Sequence, residues 1–172
     1  EIGQLGAYGN TAEATTSPES AIRLLSHNYY HDYRVDGAES VLWESHGLNP
    51  LFDLVLLDEN DNPTPISSNV PNHEFVLPEN VAPPGLYRIR VSLAGNPAIF
   101  VESRELFRFV TRNPAGDNFF VNDGNLADDE YAQVVGNNRN SGLSATEPKA
   151  NLLPILRSYD LGPGDTVHID SG

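Results

Sequence analysis

The sequence predicts a mainly β protein, an antiparallel β-sandwich followed by a small strand-helix-strand unit, and three observations predict it. Short β-prone runs recur at even spacing from Ile22 onward, separated by turn clusters such as Asp36-Gly37, Asp58-Glu59-Asn60-Asp61-Asn62-Pro63 and Pro83-Pro84-Gly85. Several runs alternate: in Tyr87-Arg88-Ile89-Arg90-Val91 the apolar side chains take one face and both arginines the other, as in a strand with one wet side. The 14 glycines and 13 prolines lie between apolar runs rather than in one low-complexity block, and no long helical period appears.

Taken in order, residues 1–19 are rich in Gly, Ala, Thr and Ser and read as a leader or linker. Residues 20–112 form the sandwich, with strands expected over 22–25, 33–35, 40–43, 52–57, 74–77, 86–93, 99–101 and 106–110. Residues 113–172 form the third part, where Phe119-Phe120-Val121 is a strand and residues 128–131 lie in an acidic loop. Asn151 is placed to cap a short helix over 152–159, with Pro154 in the first turn, where its missing donor does no harm. Gly162-Pro163-Gly164 ends that helix, and Thr166-Val167-His168-Ile169 is the last strand.

The 172-residue chain carries 24 acidic and 10 basic residues, a formal charge of −14. Such a surface repels phosphate backbones and anionic headgroups, which excludes nucleic acid and disfavours membrane surfaces. No apolar run approaches a membrane span, so membrane insertion is not expected. There is no cysteine, hence no disulfide, thiolate metal site or cysteine nucleophile.

Two resemblances follow from particular residues. Val41-Leu42-Trp43, then Phe52-Asp53-Leu54-Val55-Leu56-Leu57, then Pro84-Gly85-Leu86-Tyr87-Arg88-Ile89-Arg90-Val91 resembles an immunoglobulin-like sandwich of the fibronectin type III sort. That resemblance implies that Trp43 fills the core between the sheets and that the Tyr87 hydroxyl bonds back to nearby backbone. Phe119-Phe120-Val121-Asn122-Asp123, Gly136-Asn137-Asn138-Arg139-Asn140-Ser141-Gly142, Pro148-Lys149-Ala150 and Gly162-Pro163-Gly164-Asp165-Thr166-Val167 together resemble the amino-terminal cap of right-handed parallel β-helices in large secreted bacterial proteins, including those of the pectate-lyase type. The acidic insertion around residues 126–130 is longer than the usual form. The resemblance implies secretion or cell-surface display and a covalent continuation into a β-helix beyond residue 172. It also implies an open apolar edge where the first coil would stack.

Candidate chemistry is sparse. Tyr29, Tyr30 and Tyr33 cluster as a sugar-stacking platform, the basis for a carbohydrate-binding expectation. Calcium is the cofactor suited to the hard oxygen donors of Asp58, Asn60 and Asp61 in one turn and of Asp123, Asp128 and Asp129 in a second run, although neither has EF-hand spacing. His27 and His31 would share a face on a helix, but their segment reads as a polar loop between strands. No Gly-x-Ser-x-Gly, His-Glu-x-x-His or phosphate loop is present, and no catalytic residue is assigned. The expected role is a non-catalytic adhesion or carbohydrate-binding module whose partner is a polysaccharide or another surface protein. The competing role is the front end of a polysaccharide lyase or epimerase.

Overall fold

A computed structural model describes residues 22–46, 50–71, 73–112 and 116–170. The expected leader, 1–19, lies outside the described residues. The chain is mainly β, with β1 (Ile22–Leu24), β2 (Asp32–Arg34), β3 (Ser40–Ser45), β4 (Phe52–Asp58), β5 (Pro63–Val70), β6 (Glu74–Val76), β7 (Gly85–Leu93), β8 (Asn96–Glu102), β9 (Phe107–Val110), β10 (Asn118–Val121), α1 (Leu152–Ser158) and β11 (Thr166–Ile169).

The strands form three sheets: β1-β3-β6, then β2-β9-β7-β4-β5 with β8 also on β7, then β10-β11. The first two face each other. Ile22, Leu24, Val41 and Trp43 of the small sheet share one buried cluster with Phe52, Leu54, Leu56, Ile89, Val91, Phe107 and Phe109 of the large one. Alternation along β7 accounts for its part: Tyr87, Ile89 and Val91 are buried. Outward, Arg88 pairs with Asp61, and Arg90 pairs with Glu102 at 2.5 Å. The antiparallel rule has one exception in the large sheet, where β2 runs parallel to β9.

Trp43 is 1% exposed, with its ring edge-on to Phe52 at 5.4 Å. The Tyr87 hydroxyl donates to the Pro83 carbonyl at 3.0 Å, and its ring lies so close to Gly85 that a Cβ there would stand 3.3 Å from it. Two details differ from the sequence reading. Residues 63–70 form a full strand despite Pro63 and Pro65, because β5 lies at a sheet edge, where a missing donor is tolerated. Asn151 is the N-cap of α1 but makes no side-chain capping bond.

The last unit has its own small core of Phe119, Val121, Ile155 and Tyr159, joined by Val110 from the sandwich strand β9. At the joint lies Lys149, the single lysine of the chain, wholly buried. Its ammonium donates to Asp32 Oδ2 at 2.6 Å and to the carbonyls of Asn138 and Asn140 at 3.0 and 2.8 Å, using all three protons. Asp32 also accepts from Ser158 Oγ of α1 at 2.8 Å and from the Tyr30 hydroxyl at 2.6 Å. Arg112 bridges Asp36 and Asp160 at the rim of the same joint.

Candidate functional site

The most distinctive surface is a parallel ladder. β10 is the middle rung, with β11 parallel on one side and a parallel bridge from Val121 to Lys149 on the other. Lys149 N–H donates to Phe120 O at 3.0 Å and Asn122 N–H to Lys149 O at 2.9 Å, while Asp170 N–H donates to Val121 O at 2.9 Å. In-register partners on parallel strands point to the same side. The pairs Phe119↔Val167 and Val121↔Ile169 therefore face inward, and Phe120↔His168 faces outward. Phe119 and Val121 are buried, yet Ile169, in the same inward row, is 50% exposed. Among the described residues, β11 pairs with β10 alone, so its second edge and its inward side chain are uncovered.

On the outer face, the Phe120 and His168 rings stack at 5.0 Å, and the half-exposed Tyr131 tilts onto His168 at 4.6 Å. His168 Nε2 lies 2.9 Å from Asn118 Oδ1, an inter-rung contact on the same face. Sequence reasoning missed this trio because its members are far apart along the chain and meet only through the ladder register.

The loop between β10 and the Lys149 rung is pinned by two devices. Asp170 receives the N–H groups of Glu130, Tyr131 and Ala132, the last at 2.6 Å. Burial works to raise its carboxyl, but these backbone donors outweigh that and hold it below the ordinary carboxylate value. Asn122, wholly buried, directs Nδ2 to Asp129 Oδ2 and to the carbonyls of Ala132 and Val134. Gly136 permits the loop to return, since a Cβ there would collide with the Asn122 carbonyl oxygen.

The three tyrosines expected as one platform differ in their surroundings. Tyr29 is 64% exposed. Tyr30 turns into the joint, bonded to Asp32, and burial together with that bond raises its hydroxyl pKa. Tyr33 stacks on the buried His27 at 4.2 Å and meets Phe107 edge-on. The backbone enters this segment through a left-handed φ of 57° at His27, and only residues 32–34 are extended as β2. Burial, with a smaller push from His31, lowers the His27 pKa from 6.5 to about 4, so this ring is neutral near pH 7. His27 stacks on the Tyr33 ring and His31 meets it edge-on at 4.8 Å, and neither belongs to a group of three or more possible ligands among the described residues.

The two acidic runs also part company. Asp58 Oδ1 accepts from the backbone of Asn60 and Asn62, and Oδ2 from Asn62 Nδ2, which holds the carboxyl below its ordinary range. Asp61 faces Arg88, and Asn60 is exposed, so this turn is satisfied by its own donors. In the second run Asp123 accepts from Asn125 N–H at 2.7 Å, Asp128 is exposed in a left-handed conformation, and Asp129 lies beside Asn122. No group of three or more His, Asp or Glu side chains converges among the described residues. No helix among them is long and apolar enough to cross a membrane.

On the sandwich, a groove of about 590 Å³ is lined by Leu25, Leu42, Trp43, His73, Glu74 and Val76. It runs over the small sheet and is open. No family model and no curated protein matches the chain at a significant level.

Proposed function

We propose that this chain is a non-catalytic module of a secreted or cell-surface multidomain protein, with an immunoglobulin-like sandwich for adhesion or carbohydrate binding and a following unit that opens a parallel β-helix. The observation that carries the reading is the rung pair Val121 and Ile169: same register, same inward side, one buried and one uncovered. A further parallel strand on β11 would bury Ile169 as β11 buries its neighbours on β10. Trp43 between the sheets and the Tyr87 bond to Pro83 support the immunoglobulin-like part. The Lys149–Asp32 node would transmit the orientation of the sandwich to the solenoid. For a sugar, Tyr29 and Tyr131 offer exposed rings, and the net charge of −14 favours a neutral polysaccharide or a basic surface protein.

A second reading, the front end of a polysaccharide lyase or epimerase, is favoured by the outward row of Asn118, Phe120 and His168 on the ladder. Solenoids build ligand faces by repeating such rows on successive coils. The chain as it stands separates the two. Incubation with neutral and anionic glycans, following binding, unsaturated-product absorbance and new reducing ends, is expected to give binding weakened severalfold by Tyr29→Ala or Tyr131→Ala, without turnover. Turnover abolished by changing one carboxylate within residues 113–172 would overturn the module reading.

A further inference from the structure

We infer that Asn122 and Asp129 form the protein half of a calcium site, held between the β10 end of the ladder and the acidic loop that follows it. The inference is independent of the proposed function. Asn122 is 0% exposed, and its amide orientation is set by its neighbours. Nδ2 lies 2.7 Å from Asp129 Oδ2, 2.9 Å from Val134 O and 3.2 Å from Ala132 O, three acceptors that only the amino end can face. Oδ1 is therefore left as the acceptor end of the same planar group. It is buried, with no hydrogen-bond partner among the described residues, and Asp129 Oδ1, on the carboxylate bonded to this amide, is buried and unpartnered in the same way.

Two hydrogen-bonded neighbours thus each keep one bare buried oxygen, and one of the two belongs to a carboxylate. Buried polar atoms are almost always satisfied, and a buried charge without a countercharge is rarer still. The loop itself offers no cation. Between Asn122 and Gly136 stand Asp123, Asp128, Asp129 and Glu130, with no Lys, Arg or His. Asp170, on the next rung, adds a further carboxylate whose oxygens are taken by the N–H groups of Glu130, Tyr131 and Ala132. That clamp fixes the backbone flanking Asp129 before any ion arrives, which reduces the ordering cost of binding.

The donors are one carboxylate oxygen and one amide oxygen, both hard. Ca²⁺ accepts irregular sets of six to eight such oxygens and completes its shell with carbonyls and water, whereas Mg²⁺ demands a near-ideal octahedron. Fewer than three acidic or histidine ligands is consistent with a site finished by main-chain oxygen and water. The turn at Asp58 is not the site, since its donors already satisfy one another.

The test is thermal unfolding of the whole chain with calcium chloride or with chelator, repeated with magnesium chloride. Calcium is expected to raise the midpoint by several degrees, magnesium to do much less, and Asp129→Asn to abolish the shift. In chelator, Asp129→Asn is expected to melt no lower than the parent chain, because it removes a bare charge while keeping the bond geometry. A second readout does not depend on stability. Tb³⁺ added to the folded chain is expected to show emission sensitised by Tyr131 of the same loop, displaced by Ca²⁺ and reduced at least severalfold in Tyr131→Phe. Superimposable transitions with and without calcium would overturn the assignment. So would a calcium shift that survives Asp129→Asn, or one lost in Asp58→Asn.

Discussion

The sandwich and the unit that follows it are held together by different physics. The sandwich closes around apolar side chains from two facing sheets, with Trp43, Phe52, Phe107 and Phe109 all at 2% exposure or less. The later unit has five residues in its apolar cluster, one borrowed from β9, and relies on four buried polar side chains, Asn122, Lys149, Ser158 and Asp170, each tying together segments distant in sequence. Apolar burial is non-directional and tolerates error in any one partner. A buried polar node is all or nothing, because a lost partner leaves a desolvated group behind. The second region should therefore fail locally and abruptly, whereas the first fails with the whole fold.

Trp43→Ala gives the largest expected effect, a loss of about 3 to 5 kcal/mol from a large aromatic cavity, measured by denaturant titration. Emission from this lone tryptophan in the parent chain should be blue-shifted. Emission typical of full solvent exposure would break the sandwich side of the comparison. Lys149→Met should cost roughly 3 kcal/mol, since it leaves the Asp32 carboxylate buried with only hydroxyl donors. Adding Asp32→Asn should recover part of that loss, the sign of true pairing. The comparison is sharpened if amide exchange in Lys149→Met accelerates in β10 while β7 is unaffected, and broken if both melt together.

An intermediate effect comes from pH. The His27 ring is neutral when folded, with a pKa of about 4, and regains its ordinary value of 6.5 on unfolding. The unfolded chain thus binds the extra proton, and stability present above pH 6.5 falls as the pH drops toward 4, by roughly 2 to 3 kcal/mol. His27→Asn, chosen because Asn tolerates the left-handed backbone there, should flatten this part of the stability profile. An identical profile would remove His27 from the account. Smallest is Tyr87→Phe, about 1 kcal/mol for the lost bond to Pro83, with the fold unchanged.

How much of this was legible in the sequence follows the same division. The period-two pattern of 87–91 and the turn clusters gave the strands, because alternation is local and needs no knowledge of the partner. Strand β5 was missed because Pro63 and Pro65 argue against a central strand, and only the sheet order places it at an edge. The Asp32–Lys149 pair spans 117 residues and leaves no local pattern. Its one trace was compositional: a single lysine among ten basic residues, at a position where a compact ammonium meets two carbonyls and a carboxylate. Tyr30 bonds to Asp32 and Tyr33 stacks on His27 while Tyr29 stays exposed, a difference in surroundings that no local pattern in residues 29–33 announces. Tyr131 and His168 could be paired only once β10 and β11 were seen to lie in parallel register.

The measurement that bears most directly on the parallel-ladder account is residue-resolved amide hydrogen exchange across β11. Thr166 N–H and Asp170 N–H point toward β10, to Asp117 O and Val121 O, so the Val167 and Ile169 N–H groups point to the opposite edge, which carries no strand among the described residues. In this chain Val167 and Ile169 should exchange rapidly while the β10 amides are protected. In a chain lengthened by one further parallel β-helix coil, both should slow by at least roughly a hundredfold as a new parallel strand pairs. Protection at Val167 and Ile169 already equal to that of β10 in the present chain, or no gain in the longer one, would contradict the account.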